Sequence, residues 1–137
     1  MNDTNRLQEI LESCRTIAVV GLSNKPHRAS YGVASYLLHH GYTIIPVNPT
    51  IDEVLGQQSY PTLSDIPVTV DMVDCFRRSE EMEALAVEAI AIRARVLWMQ
   101  LGVVNEKARD MAEAAGLQVV MDRCTKIDHA RLLGSNG

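Results

Sequence analysis

Apolar positions along this chain alternate between two periods, and the alternation divides it into helices and strands. Leu7, Ile10, Leu11 and Cys14 fall at i, i+3, i+4 and i+7, which predicts an opening helix capped near Asp3 or Thr4. The unbroken run Ile17-Ala18-Val19-Val20 then predicts a buried strand. A second helix is expected from Ser30 to His40, with Val33, Ala34, Leu37 and Leu38 inward and Gly41 placed to stop it. Thr43 to Val47 reads as the next strand, closed by a Pro46-Val47-Asn48-Pro49 turn.

From Ile51 to Pro67 the pattern thins, with Gly56, Pro61 and Pro67 as punctuation. This predicts a short edge strand near Ser59 or Tyr60 and a helical turn near Ser64. Regularity returns with a strand from Val70 to Phe76. A helix follows over Ser79 to Ile92, opened by Glu80 and Glu81, with Met82, Leu85, Ala86, Ala89 and Ile90 as its inner stripe. Val96 to Met99 is a further strand. Asn105 caps another helix, whose stripe is Ala108, Met111, Ala112 and Ala115, and Gly116 ends it before the strand Gln118 to Met121. The remainder predicts one short helix around Ile127 to Leu133 and a frayed tail over Gly134 to Gly137. Strands that are apolar throughout and separated by amphipathic helices imply an α/β fold. The expected architecture is Rossmann-like and doubly wound, a mostly parallel sheet of about five strands with helices on both faces.

A length of 137 residues and 47% apolar composition suit a single domain spanning residues 1–137 with its own core. No apolar run reaches the roughly 18 residues that span a bilayer, and the opening MNDTNRLQEI is too polar for a leader, so a soluble, cytoplasmic protein without membrane contact is expected. The formal net charge of -4 and 4% aromatic content leave little to hold or stack a nucleic acid, so none is expected as a partner. Cys14, Cys75 and Cys124 lack paired-ligand spacing, which argues against a disulfide framework and a zinc site. His39-His40 closes a helix without a carboxylate or cysteine partner at metal spacing, so no metal is expected.

The candidate chemistry collects after the strands, where open parallel sheets bind ligands. Gly21 follows the first strand, and a loop with Ser23, Asn24, Lys25, Pro26, His27 and Arg28 leads to the helix at Ser30. A glycine turn, a helix N-terminus and nearby cations together form a phosphate site. Asn48 and Pro49 follow the second strand. Phe76, Arg77 and Arg78 follow the next, Gln100 follows Met99, and Asp122, Arg123 and Lys126 follow the last. These cations predict a positive rim along one sheet edge, suited to a polyphosphate. A redox dinucleotide fits less well. Ser23 and Pro26 occupy the second and third glycine positions of a G-x-G-x-x-G turn, and Val47-Asn48-Pro49 offers no acid to a ribose diol. The absence of that carboxylate, together with the cations, suits the ribose phosphate of coenzyme A.

Gly21-x-Ser23, Arg28-x-Ser30, Val47-Asn48-Pro49, Phe76-Arg77, Trp98-Met99-Gln100-x-Gly102 and Asp122-Arg123-Cys124 together resemble the small stand-alone CoA-binding domain family. That family is similar to the N-terminal domain of the succinyl-CoA synthetase alpha subunit. The resemblance implies contact with coenzyme A or an acyl-CoA by Ser23, Asn24, Lys25 and Pro26, and by Met99, Gln100 and Leu101. It extends over nearly the whole chain, but of the synthetases' Asn-Cys-Pro-Gly stretch only Cys124 is kept. Their phosphorylated histidine lies in a second domain with no counterpart in this sequence, so ligase activity is not implied.

The remaining residues have plainer readings beside the functional ones. Phe76 is either core or an adenine-packing face, Arg77 and Arg78 are either ligand contacts or a solvated pair, and Trp98 reads as core. Asp74 reads as a satisfied buried carboxylate, and His27 as a loop histidine rather than a base. Cys124, near Arg123 and Lys126, is a candidate thiolate able to form a mixed disulfide with the CoA thiol. No nucleophile, base and orienting acid assemble from these residues, so no catalytic residue is assigned. The expected function is non-catalytic binding of coenzyme A or acyl-CoA, as carrier, sensor or partner subunit. The alternatives are an NAD(P)- or acyl-CoA-dependent enzyme and a protein-interaction module without cofactor. Its macromolecular associates are open between a second copy of the chain and a partner enzyme.

Overall fold

A computed structural model describes residues 3–134 of the chain. Helix α1 (Asp3–Ser13) leads into strand β1 (Thr16–Val20), helix α2 (Ala29–His39) and strand β2 (Thr43–Val47). A small antiparallel hairpin, β3 (Glu53–Val54) and β4 (Gln57–Gln58), precedes a 3-10 turn at Leu63–Asp65. Strand β5 (Met72–Cys75), helix α3 (Met82–Ala91), strand β6 (Val96–Met99), helix α4 (Glu106–Ala114), strand β7 (Gln118–Val120) and helix α5 (Thr125–Leu132) complete the fold.

The main sheet has five strands in the order β2-β1-β5-β6-β7, every neighbouring pair parallel. Alternate strand residues enter opposite cores. Ala18, Val20, Val73, Cys75, Leu97 and Met99 pack with α3 and α4, whereas Ile17, Val19, Met72, Val96 and Trp98 pack with α1, α2 and α5. The sheet is thus buried on both faces, which is why its strands are apolar throughout. The expected Rossmann-like, doubly wound α/β fold is the one observed.

Several boundaries shift for local reasons. The expected strand at Val70–Phe76 shortens to β5, and the Asp71 carboxylate just before it accepts from the backbone amides of Arg15 and Thr16, at 2.8 and 3.0 Å. The expected helix over Ser79–Ile92 begins with a 3-10 turn at Ser79–Glu81 and becomes α-helical at Met82. Ala115, expected inside, is exposed because it is already the C-cap of α4. The edge strand expected near Ser59 or Tyr60 is a single parallel bridge between Tyr60 and Val47, beside the β3–β4 hairpin. Counting that bridge as a strand, the sheet follows the 3-2-1-4-5-6 order of dinucleotide-binding folds, with its third strand reduced to one residue. Of the frayed tail expected at Gly134 to Gly137, residues 135–137 lie outside the described residues.

Candidate functional site

The chain leaves β1 for α2 on one face and leaves β5 for α3 on the other. Because β1 and β5 are neighbours, these exits diverge and open a crevice at their carboxyl ends. Two cavities lie there with Phe76 as a common wall. One, of about 270 Å³, is lined by Gly21, Ser23, Arg28, Ala29, Ser30 and Phe76. The other, of about 430 Å³, is lined by Phe76, Arg77, Arg78, Glu81, Gln100, Leu101 and Val103.

The first cavity is built around the start of α2. Gly21 has φ of +87°, and a Cβ there would overlap the Phe76 carbonyl oxygen, so close passage of two chain segments selects glycine. Its own N–H is not free for an anion, because it donates to the Val47 carbonyl at 2.9 Å. Loop hydrogen bonds also use the Ser23 amide, donated to Ser30 Oγ at 3.0 Å, and the Lys25 amide, donated to Ser23 Oγ at 3.1 Å. These bonds fasten the loop to the helix. The open donors lie further along than the glycine turn suggested: the amides of Ala29 and Ser30 have no intramolecular acceptor among the described residues. Arg28 is the N-cap of α2 and makes no side-chain cap, which places a cation at the positive end of a helix. An anion in the cavity would relieve that repulsion and accept from both amides. Among the described residues, Lys25 and Arg28 make no ion pair, and Asn24, Lys25, Pro26 and Arg28 are all exposed, with Arg28 lining the cavity.

The rest of the positive rim is largely neutralised within the protein. Arg77 Nε lies 3.1 Å from Glu81 Oε1, and Arg78 Nε lies 2.9 Å from Glu81 Oε2, so one carboxylate holds both arginines. The hydrogen bond from Arg78 keeps the Glu81 carboxyl below its ordinary pKa. Arg123 is committed to the buried Asp128 through contacts of 2.7 and 2.9 Å. Lys126 stands over the Tyr36 ring on the α2–α5 side. The Arg77-x-x-x-Glu81 and Arg78-x-x-Glu81 spacings are the local signals that foretell the pairing of both arginines with Glu81.

Other expected site residues also make contacts within the fold. Asn48 Nδ2 donates to the Leu22 carbonyl at 3.0 Å, and its Oδ1 accepts from the Thr50 amide and hydroxyl, so it shapes the turn after β2 while Pro49 stays exposed. Met99 is fully buried in the core. The Gln100 side chain turns inward, donating to Asp74 Oδ1 at 2.6 Å and Thr125 Oγ1 at 2.9 Å, and Thr125 donates to Asp74 Oδ2 at 3.0 Å. Burial pushes the Asp74 carboxyl up to about 7. Leu101, by contrast, is 60% exposed at the mouth of the second cavity. Cys124 is buried at the N-cap of α5 among residues of the α1, α2 and α5 core, away from both cavities. Among the described residues no group of three or more His, Cys, Asp or Glu side chains could hold a metal, and no helix is long and apolar enough to cross a membrane.

Comparison with known proteins decides the family. The family profile described as "CoA binding domain" matches residues 15–130. The chain belongs to the CoA-binding domain family. This CoA-binding domain is 46% identical over 124 residues to the uncharacterized protein YneT of Bacillus subtilis (strain 168), covering 90% of this chain and 92% of that one. It superposes with a TM-score of 0.93 on a hypothetical protein from Pyrococcus horikoshii OT3, at 41% identity over 96% of this chain and 92% of the other. A 59-residue stretch is 39% identical to the alpha subunit of an ADP-forming acetate–CoA ligase II of Pyrococcus furiosus, covering 42% of this chain and 13% of the ligase subunit. The CoA-binding domain therefore corresponds to only a small part of that ligase subunit.

Proposed function

We propose that this protein holds coenzyme A or an acyl-CoA along the carboxyl edge of β1, β5 and β6 without transforming it, as a carrier, a sensor or a partner subunit. The single observation carrying this reading is the unsatisfied start of α2. Two open amides and an unpaired N-cap arginine border a cavity that shares Phe76 with a second, partly apolar one. The first cavity takes the diphosphate, with Arg28 and Lys25 supplying charge and the Ala29 and Ser30 amides supplying geometry. The Phe76 ring and the turn at Asn48-Pro49 border the adenosine end, and the pantetheine arm runs toward Gln100 and Leu101. The turn after β2 presents no carboxylate to repel a ribose phosphate. Membership of a CoA-binding family and the partial match to a CoA ligase support the ligand. Among the described residues, Cys124 and Asp74 are buried away from the cleft, its Ser23 and Ser30 hydroxyls have no histidine partner, and its one carboxylate, Glu81, is held by two arginines.

Thermal melts with CoA, acetyl-CoA, dephospho-CoA, NAD and ATP test the reading. A ligand at about 100 times its dissociation constant adds roughly 2.7 kcal/mol to stability, enough to move the midpoint by several degrees. The largest shift is expected with CoA or acetyl-CoA and a smaller one with dephospho-CoA, while Arg28→Ala reduces both. A larger shift with NAD than with CoA would overturn the assignment.

A further inference from the structure

We propose that Glu81 sets the affinity of the cleft by holding Arg77 in the ligand-free protein, and that a bound phosphate takes Arg77 from it. This rests on the proposed binding of CoA and adds an antagonist residue to that site. The Arg77 side chain crosses Gly21, its Cδ lying 3.1 Å from where a Gly21 Cβ would stand. Its stem thus lies against the floor of the diphosphate cavity, while its guanidinium is drawn over the second cavity by Glu81. Rotation about its outer torsions carries the guanidinium back toward Gly21 and Ser23 while the stem stays in place.

The grip is suited to being broken. Arg77 is 42% exposed and Glu81 31% exposed, and exposed ion pairs contribute little net free energy. The diphosphate carries one negative charge on each of its two phosphoryl groups and offers a guanidinium paired acceptor oxygens, a stronger pull than the single shared carboxylate of Glu81. Glu81 need not follow, because Arg78 remains on its other oxygen at 2.9 Å.

Calorimetric titration of CoA into the wild type, Glu81→Gln, Arg77→Ala and the double variant tests this at low ionic strength. Glu81→Gln should bind CoA about two- to five-fold more tightly, the range set by the strength of an exposed ion pair. Arg77→Ala should bind more weakly, and Glu81→Gln should give less than about 1.5-fold in that background if Arg77 mediates the effect. Glu81→Ala should tighten binding in the same direction. Unchanged or weaker binding by Glu81→Gln would overturn the proposal, and so would an equal gain without Arg77, which would mean a general field effect. Absence of CoA binding by the wild type would instead defeat the functional reading on which it rests.

Discussion

Gly21 shows how one residue serves fold and site together. Its left-handed φ and the Phe76 carbonyl facing its Cα leave no room for a side chain. Gly21→Ala should therefore cost about 2–4 kcal/mol, from backbone displacement plus the left-handed penalty, measured by urea unfolding. A variant within about 0.5 kcal/mol of the wild type would show that the two segments separate easily. The need for glycine was legible in the sequence, but its cause was not. The motif suggested approach to a ligand, whereas the structure shows approach to the end of β5. The local pattern ends the loop at Arg28 and starts the helix at Ser30, and α2 begins one residue earlier, at Ala29, with Arg28 as its N-cap. Position after a strand says nothing of the capture of Arg77 and Arg78 by Glu81, because that depends on the turn and helix that follow.

At the scale of elements, the cleft depends on how α3 and α4 are anchored behind it. Asn105 Oδ1 accepts from the Ala108 amide at 2.9 Å, capping α4, and its Nδ2 donates to the Ser79 carbonyl at 2.9 Å. Ser79 Oγ in turn accepts from the Val104 amide at 2.9 Å. This links the turn before α3 to the start of α4. Asn105→Ala should lose about 1–2 kcal/mol in chemical unfolding, the cap plus one interelement bond, whereas Asn105→Asp should recover the cap. Failure of Asp to recover any stability would assign the loss to the Ser79 bond alone. The cap was readable because Asn before a helical stripe is a local signal. The third strand was readable in place, near Ser59 or Tyr60, but not in extent, since its pairing is a single bridge at Tyr60 whose partner lies across a hairpin.

For the whole molecule, Asp74 couples stability to pH. Its carboxyl, buried beneath β6 and α5 and raised to about 7 from an ordinary 3.8, keeps a proton in the folded state that the unfolded chain gives up. Between about pH 4 and 7 the folded state therefore binds more protons, and this residue's contribution to stability falls as pH rises. Above about 7 the full cost of the buried charge is present; below about 4 it is absent. Asp74→Asn removes that dependence, so the stability of the variant relative to wild type should improve progressively from pH 4.5 to 7.5 by about 1 kcal/mol or more. His129, whose pKa burial lowers, works in the opposite direction but in both proteins, so it cancels in the difference. Parallel stability curves for the two proteins would show that Asp74 titrates normally.

The order of helices and strands, the face that each buries and the place of the loop between β1 and α2 were determined by the sequence itself. Hydrophobic period, caps and turn residues act over a few neighbours, so they can be read from neighbours. Tertiary structure alone decided which amides stay open, which cations remain unpaired and which polar side chains close on one another. Those outcomes arise where segments distant in sequence meet, as Gly21 meets Phe76 and Gln100 meets Asp74 and Thr125. No local pattern records such meetings, because the desolvation and hydrogen bonding that settle them begin only when the chain has folded.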